Sequence, residues 1–363
     1  MENNKKLTFL IPNLQAGGME RVMSELLQYF AFNTPHELHL VMYGVRGINF
    51  YEVPDQVIVH EPAFDFNNNK RLLYTLKTLL YLRKTINSLK PDAVLSFGEY
   101  WNNFVLLALR GTKHPVIVSD RSQPDKSLSR VHNFLRKKLY PKAKAVICQT
   151  KKAQHIYEKM YRHPNFVIIG NPIKALEMRQ DIPKENVVLS VGRLIESKHF
   201  DELIDIFADI NPQHWKLIIV GDNALKQDNM SKLNQQIKDL GMQDQIKLVG
   251  RQSDVDSFYN KSKIFAFTSS SEGFPNVLGE AMSAGLPVVS YDCTAGPSDL
   301  IDDGVSGFLT DVHDKSQFKI KLEQLIKDDE LREKMGENAS EKIKKFNLTK
   351  IGQKFEAVLL SSS

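Results

Sequence analysis

The chain has 363 residues, 42% of them hydrophobic, a formal net charge of +5 and two cysteines. That length exceeds the size at which one core stops growing and predicts two domains of about 150 to 200 residues. No apolar run reaches the roughly 18 residues that cross a bilayer, and Cys148 and Cys293 sit inside apolar runs, as reduced core thiols do, which excludes a disulfide framework. The charge is uneven: residues 1–170 carry 24 Lys and Arg against 13 Asp and Glu, while the remainder is net negative. An anionic surface would therefore meet the first half.

The opening MENNKKLTFLIPNLQAGG imitates a leader peptide, but LTFLI is short and runs into Pro12-Asn13. It is read as a buried first strand of a cytoplasmic chain. Strand-length apolar runs then alternate with helical patterns: ELHLVMYG, VIVHEP, AVLSFG, VIVSD and AVICQT, followed by VVLSVG, KLIIVGD, IKLVG, IFAFTSS, PVVSYD and GFLT. Their continuous apolar character implies strands buried on both faces, hence parallel sheets with helical crossovers and two doubly wound α/β domains. The seam is placed in IIGNPIKALEMRQDIPKEN, which divides the chain into 1–170, 171–346 and a final amphipathic helix in 347–363. Ligands of such sheets bind beyond the carboxyl ends of the strands, so two facing domains would form a cleft.

Four loops at predicted strand ends carry chemistry. In NLQAGGMER, Gly17 and Gly18 let backbone approach a ligand near a helix start; a tight strand-to-helix turn explains them equally well. In SVGRLIESKHFDELI, Gly192 ends a strand, Arg193 and Lys198 flank a short loop suited to a diphosphate, and Ser197 is the expected cap of the next helix. Solvated loop cations are the competing reading. In SSSEGFPNVLGEAMSAG, Glu272 and Glu280 straddle a Gly-Phe-Pro-Asn elbow. Pro275 suits a first helical turn, and the amides of Phe274, Asn276 and Val277 are expected to point at a ligand. The carboxylates are then staggered along one wall, each able to accept from vicinal hydroxyls. The bland alternative is a helix with an acidic start. In TAGPSDLIDDGVSGFL, Gly296-Pro297-Ser298 precede another short helix.

Other chemistries are disfavoured. The ten histidines show no zinc-ligand spacing, so no metal is expected, and Ser253 and Asp254 in SDVDSF are read as caps rather than as part of an ion site. There is no Gly-x-Ser-x-Gly elbow and no Walker loop. Asp120 and Arg121 end a strand of the first half, where they would face the second-half loops.

Taken together, QAGGMER, VGRLIESK, SSSEGFPNVLGEAMSAGLPVVS and GPSDLIDDGVSGFL resemble the family 4 retaining glycosyltransferases of the GT-B fold, over almost the whole chain. The resemblance implies two Rossmann-like domains facing across a cleft and a last helix crossing back to the first. It also implies metal-independent, retaining transfer from a nucleotide sugar, by family habit a UDP-sugar, with no cofactor beyond that co-substrate. By the same resemblance Arg193 and Lys198 grip the diphosphate and Glu280 the ribose. Glu272 and the amides of Gly273 to Asn276 face the donor sugar, and Gly17 and Gly18 approach the phosphates and the acceptor. One departure concerns Arg121, which stands where many relatives have a His after an acidic residue. An arginine cannot relay a proton, so activation of the acceptor falls to Asp120, to the donor phosphate, or to no side chain. A catalytically inactive binding subunit and a sugar-nucleotide epimerase on the same fold are the alternatives.

The acceptor side is read from two windows without acidic residues. One runs from Asp65 to Asp92 and contains Lys70, Arg71, Lys77, Arg83, Lys84 and Lys90; the other runs from Asp125 to Glu158 and includes Arg136, Lys137, Lys138 and Lys144. Leu72, Leu73, Leu76, Leu79, Leu80, Ile86 and Leu89 recur near helical spacing in the first. Basic amphipathic helices suit an anionic membrane surface, which leads to a peripheral enzyme of the cytoplasmic face acting on a glycan or lipid-linked acceptor. The competing reading turns the leucines to the core. Nucleic acid is not expected as a partner, since no recognition module accompanies the charge.

Overall fold

The structure, a computed structural model, describes residues 4–44, 49–176, 182–224 and 227–361. Residues 177–181, inside the stretch where the seam is expected, lie outside the described residues. The chain divides into two compact units, one formed by Met1–Pro172 with Leu348–Ser363 and the other by Ile173–Asn347.

The first unit runs β1 (Lys6–Ile11), α1 (Gly18–Asn33), β2 (Glu37–Met42), β3 (Val57–His60), α2 (Arg71–Leu89), β4 (Ala93–Phe97), α3 (Glu99–Ala108), β5 (Val116–Ser119), α4 (Arg130–Leu139), β6 (Ala145–Cys148), α5 (Lys151–Met160) and β7 (Phe166–Ile168). The second runs β8 (Val187–Val191), α6 (Phe200–Ile210), β9 (Lys216–Val220), α7 (Asn229–Asp239), β10 (Ile246–Leu248), α8 (Asp256–Lys261), β11 (Ile264–Phe267), α9 (Asn276–Ser283), β12 (Val288–Tyr291), α10 (Pro297–Leu300), β13 (Phe308–Thr310), α11 (Lys315–Lys327) and α12 (Asp329–Ile343). The last helix, α13 (Leu348–Leu360), belongs to the first unit.

Both sheets are parallel. The order is β3-β2-β1-β4-β5-β6-β7 in the first unit and β10-β9-β8-β11-β12-β13 in the second. Strand order therefore reverses between β1 and β4 and again between β8 and β11, which is where doubly wound sheets leave a crevice at their carboxyl ends. The central strands are apolar on both faces because helices cover both: β4, β5, β11 and β12 are buried throughout. Helix starts are set locally, with Ser129, Thr150, Asp314 and Asp328 accepting amides at the first turns of α4, α5, α11 and α12.

Helix α13 is fastened by shape as much as by area. Gly352 lies against the Tyr29 ring of α1, where a β-carbon would collide with it. Tyr29 donates to Glu356 at 3.0 Å, and Phe355 is fully buried with its ring 6.1 Å from that of Phe97 at the end of β4. Lys144 donates to the carbonyls of Leu359 and Ser361, at 3.3 and 2.5 Å, and so meets the negative end of the helix. With Ile351, Phe355 and Leu359 buried at about 1.5–3 kcal/mol each, α13 is an integral element of the first unit. The cysteines are buried and free. Burial pushes the Cys293 thiol up to about 12, which keeps it protonated.

Candidate functional site

In the second unit the two strands flanking the switch point, β8 and β11, end in loops that carry Arg193 and Lys198 on one side and Glu272 on the other. After β8, the Gly192 amide donates to Val220 and the Leu194 amide to Asp222, each at 2.9 Å. Arg193, between these two anchors, is exposed. A short turn, Glu196–Lys198, then brings Lys198 into an ion pair with Glu272 of the other loop. Ser197 does not cap the following helix, contrary to the expectation. His199, in a left-handed conformation with φ 46°, precedes α6 and separates Ser197 from it. The Ser197 carbonyl instead accepts from the Ser270 amide at 2.9 Å and from the Ser269 hydroxyl at 3.2 Å, and Thr268 donates to the Lys198 carbonyl at 2.8 Å. The two loops are thus laced into one platform.

The elbow after β11 differs in detail from its sequence reading. Pro275 stands one residue before α9, as its N-cap, and its carbonyl accepts from Leu278 at 3.0 Å. The Asn276 amide is taken by the Phe274 carbonyl at 3.0 Å, so it is not free for a ligand. The Phe274 side chain is buried against Phe346, with ring centroids 5.7 Å apart, and serves as a wedge under the loop. The amides of Gly273, Phe274 and Val277 have no protein acceptor among the described residues. Glu280, one turn into α9, accepts from the Tyr259 hydroxyl at 3.2 Å. Gly296 presses on the Pro275 ring from the fourth loop; at φ 109°, and with a β-carbon driven into Pro275, no other residue fits there. In SDVDSF, Asp254 accepts from the Ser257 amide at 3.2 Å, and Asp256 pairs with Lys174 at 2.5 Å.

In the first unit, Gly17 and Gly18 follow β1. The Gly17 carbonyl accepts from the Arg21 amide and the Tyr51 hydroxyl, both at 3.0 Å. The Glu20 carboxylate folds back against Gly17 and takes its own amide, so one of the donors at the start of α1 is already engaged; burial pushes that carboxyl up.

Asp120 does not stand at a ligand-facing strand end. It is sealed, 1% exposed, in an ion pair with Arg136, and accepts from Tyr140 at 2.6 Å and Asn102 at 2.9 Å. Burial pushes its carboxyl up against the pull of Arg136. A carboxylate whose oxygens are all taken by buried donors is a scaffold group, which corrects its assignment as an acceptor-activating residue. The adjacent loop is held by a residue that the sequence reading overlooked. Glu99, at the start of α3, accepts the amides of Arg121 at 3.0 Å and Ser122 at 2.6 Å. Its only sequence signal is an acid one residue after Gly98, at the end of a strand beside the switch point. The Arg121 guanidinium lies 4.0 Å from the Phe97 ring centroid and 5.5 Å from that of Phe355, and donates to Asn171 at 2.8 Å. Burial pushes it down to about 9, which leaves it charged at neutral pH.

The two basic windows separate into structural and exposed parts. Arg136 is buried with Asp120, Arg83 donates to the carbonyls of Ala108 and Arg110 at 3.0 and 2.9 Å, and Lys144 holds α13. Helix α2 has two apolar faces. Leu82 and Ile86 are buried, whereas Leu72, Leu76 and Leu80 are 88%, 54% and 58% exposed, with Arg71, Lys77 and Lys84 exposed on the same helix. Val131 and Phe134 of α4 are exposed too. A cavity of about 660 Å³ lies within this unit, lined in part by Tyr43, Phe66, Leu79, Trp101 and Phe104. Among the described residues no helix is long and apolar enough to cross a membrane.

Two parallel, doubly wound α/β units, one with a charged platform at its switch point, define the class of fold, and comparison with known proteins narrows it. Residues 16–175 match the family described as Glycosyltransferase Family 4, and residues 173–342 match Glycosyl transferases group 1. The chain is 29% identical over 346 residues to the amylovoran biosynthesis glycosyltransferase AmsD of Erwinia amylovora, covering 92% of this chain and 93% of that one. It is 27% identical over 359 residues, 96% of this chain and 97% of the relative, to an alpha-1,4-N-acetyl-D-galactosaminyltransferase of Campylobacter jejuni whose name specifies a PP-undecaprenol-linked glycan. Among solved structures, that of Anabaena HepE in complex with UDP superposes with a TM-score of 0.83 at 20% identity, over 98% of this chain and 99% of that one. The fold is GT-B, and the chain belongs to the group 1, family 4 glycosyltransferases.

Proposed function

We propose that the chain moves a hexose or N-acetylhexosamine from a UDP-sugar to a lipid-linked or surface-polysaccharide precursor, with retention at the anomeric carbon and without a catalytic metal or resident cofactor. The observation that carries this reading is the Lys198–Glu272 ion pair on the platform between the β8 and β11 ends, with Arg193 exposed on the same β8 loop as Lys198. Without ligand, each charge satisfies the other. A nucleoside diphosphate brings two phosphates that compete for Lys198 and engage Arg193, and this releases Glu272 to accept from the donor sugar's hydroxyls. Lys198 and Arg193 then act where charge grows, on the departing diphosphate, together with the unengaged amides of Gly273, Phe274 and Val277. Glu280, oriented by Tyr259, takes the ribose hydroxyls. Gly192 keeps the β8 turn low enough for the phosphates. With Asp120 sealed, the leaving phosphate oxygen is the base left for the acceptor hydroxyl.

The acceptor is assigned to the first unit. The names of the relatives AmsD and the Campylobacter transferase refer to a polysaccharide and a polyprenol-linked glycan. The exposed leucines of α2, flanked by Arg71, Lys77 and Lys84, suit the headgroup region of an anionic bilayer, where each nearby cation contributes about 1 kcal/mol. The enzyme would then work peripherally on a cytoplasmic membrane face. The test is a transfer assay with a panel of UDP-sugars and a polyprenyl-diphosphate glycan, using wild type and Lys198→Ala. One sugar transferred with its α-configuration kept, and lost in the variant, supports the reading. UDP-sugar hydrolysis or epimerisation without transfer contradicts it.

A further inference from the structure

We propose that His199, Glu202 and His313 form a binding site for a divalent transition-metal ion of the zinc class within the second unit. The residues come from distant parts of the chain. His199 precedes α6, Glu202 lies in its first turn, and His313 stands in the loop between β13 and α11. His313 Nδ1 lies 2.7 Å from Glu202 Oε1 and His199 Nδ1 lies 3.8 Å from the same oxygen, while the two imidazoles meet edge to face with centroids 4.6 Å apart. One ligand atom from each residue falls within 4.8 Å of the others. Tetrahedral zinc with bonds of about 2.0–2.1 Å sets its donors roughly 3.3 Å apart, a spacing these distances bracket.

The surroundings already orient the donors as outer partners of a metal site do. Tyr291 donates to Glu202 Oε2 at 2.6 Å and leaves Oε1 to the histidines. His199 Nε2 meets the Ser270 hydroxyl at 2.7 Å, which leaves its Nδ1 as the free donor atom. The backbone adds a second observation. His199 and His313 both sit at positive φ, 46° and 69°, where glycine or asparagine is the unstrained choice. Two imidazoles from separate loops, held by these turns and converging on one carboxylate oxygen, point to a shared ligand. Two nitrogens and one carboxylate suit Zn²⁺ and its neighbours over Mg²⁺ or Ca²⁺. The His313 side chain, 54% exposed, leaves a path for the ion and a fourth position for water. The ion would tie the start of α6 to the loop before α11 and, through Ser270, to the loop carrying Glu272. It is a brace, and no transfer step runs through it.

The test is calorimetric and thermal-shift titration of the full chain, stripped with chelator, using Zn²⁺ alone. A single site that raises the melting temperature by several degrees is expected, with no response to Mg²⁺. Two variants locate it. His313→Gly suits the left-handed backbone, so its melting temperature in chelator should equal or exceed that of wild type, and Glu202→Gln keeps the side-chain shape. Each should weaken zinc binding at least about tenfold. Zinc binding to His313→Gly with wild-type affinity would place the ion elsewhere, for example at the His39–His60 pair, and overturn the proposal, as would the absence of any zinc response in wild type.

Discussion

The end of β5 and the platform between β8 and β11 each contain a cation paired with a carboxylate, and the two pairs live in opposite surroundings. In the first unit, the Arg136 and Asp120 side chains are 4% and 0% exposed, and Tyr140 and Asn102 close the remaining positions. In the second, the Lys198 and Glu272 side chains are 15% and 16% exposed, on loops beside unengaged amides. A sealed pair cannot exchange partners, because either group alone would be a buried uncompensated charge. A pair at the edge of solvent can give one partner to a phosphate. Chemically similar pairs thus differ in what they can do: the sealed one is confined to scaffolding, the one at the edge of solvent is open to exchange, and burial decides which.

The largest effect should come from breaking the sealed pair. Arg136→Ala is expected to destabilise the first unit by about 3–5 kcal/mol, read as loss of hydrogen-exchange protection in β4 to β6. A change below about 1 kcal/mol would mean that the pair is not the scaffold described. Lys198→Ala is the complementary case: kcat should fall by about 10²- to 10³-fold while the melting temperature moves little. If it unfolded the second unit instead, the contrast between the two pairs would disappear. Glu280→Ala should raise the donor KM roughly tenfold with kcat nearly unchanged, the size of one or two lost hydrogen bonds; an unchanged KM would remove Glu280 from the ribose. The smallest effect on donor kinetics is expected from Leu76→Glu combined with Leu80→Glu. This variant should bind UDP like wild type yet fail to float with anionic liposomes, and undiminished flotation would take the α2 face out of the account.

These contrasts also explain what the sequence could and could not disclose. The parallel sheets were legible because strands buried on both faces are continuously apolar, as in Ile264–Phe267 and Val288–Tyr291. The charged residues of the platform were legible because they follow such strands within a few positions. Side-chain partnerships across long separations were not. The Asp120–Arg136 pair joins a strand end to α4, Glu99 reaches the amides of residues 121 and 122, and His199 meets His313, and none of these leaves a spacing pattern. Backbone hydrogen bonding was equally hidden: nothing in the string SKHF shows that His199 adopts a left-handed turn and takes the capping place expected of Ser197. The leucines of α2 were ambiguous for a different reason. Their spacing fits either face of the helix, and only the fold shows that Leu82 and Ile86 turn inward while Leu72, Leu76 and Leu80 turn out.

The platform is tested most directly by calorimetric titration of UDP into the wild type and Arg193→Ala. Arg193 is exposed on a loop anchored at both sides, so its removal should leave the melting temperature unchanged. One UDP site is expected in the wild type, weakened at least about tenfold in the variant, with the thermal shift on adding UDP reduced in parallel. Equal affinity of the two proteins for UDP would contradict the diphosphate site placed at the β8–β11 platform.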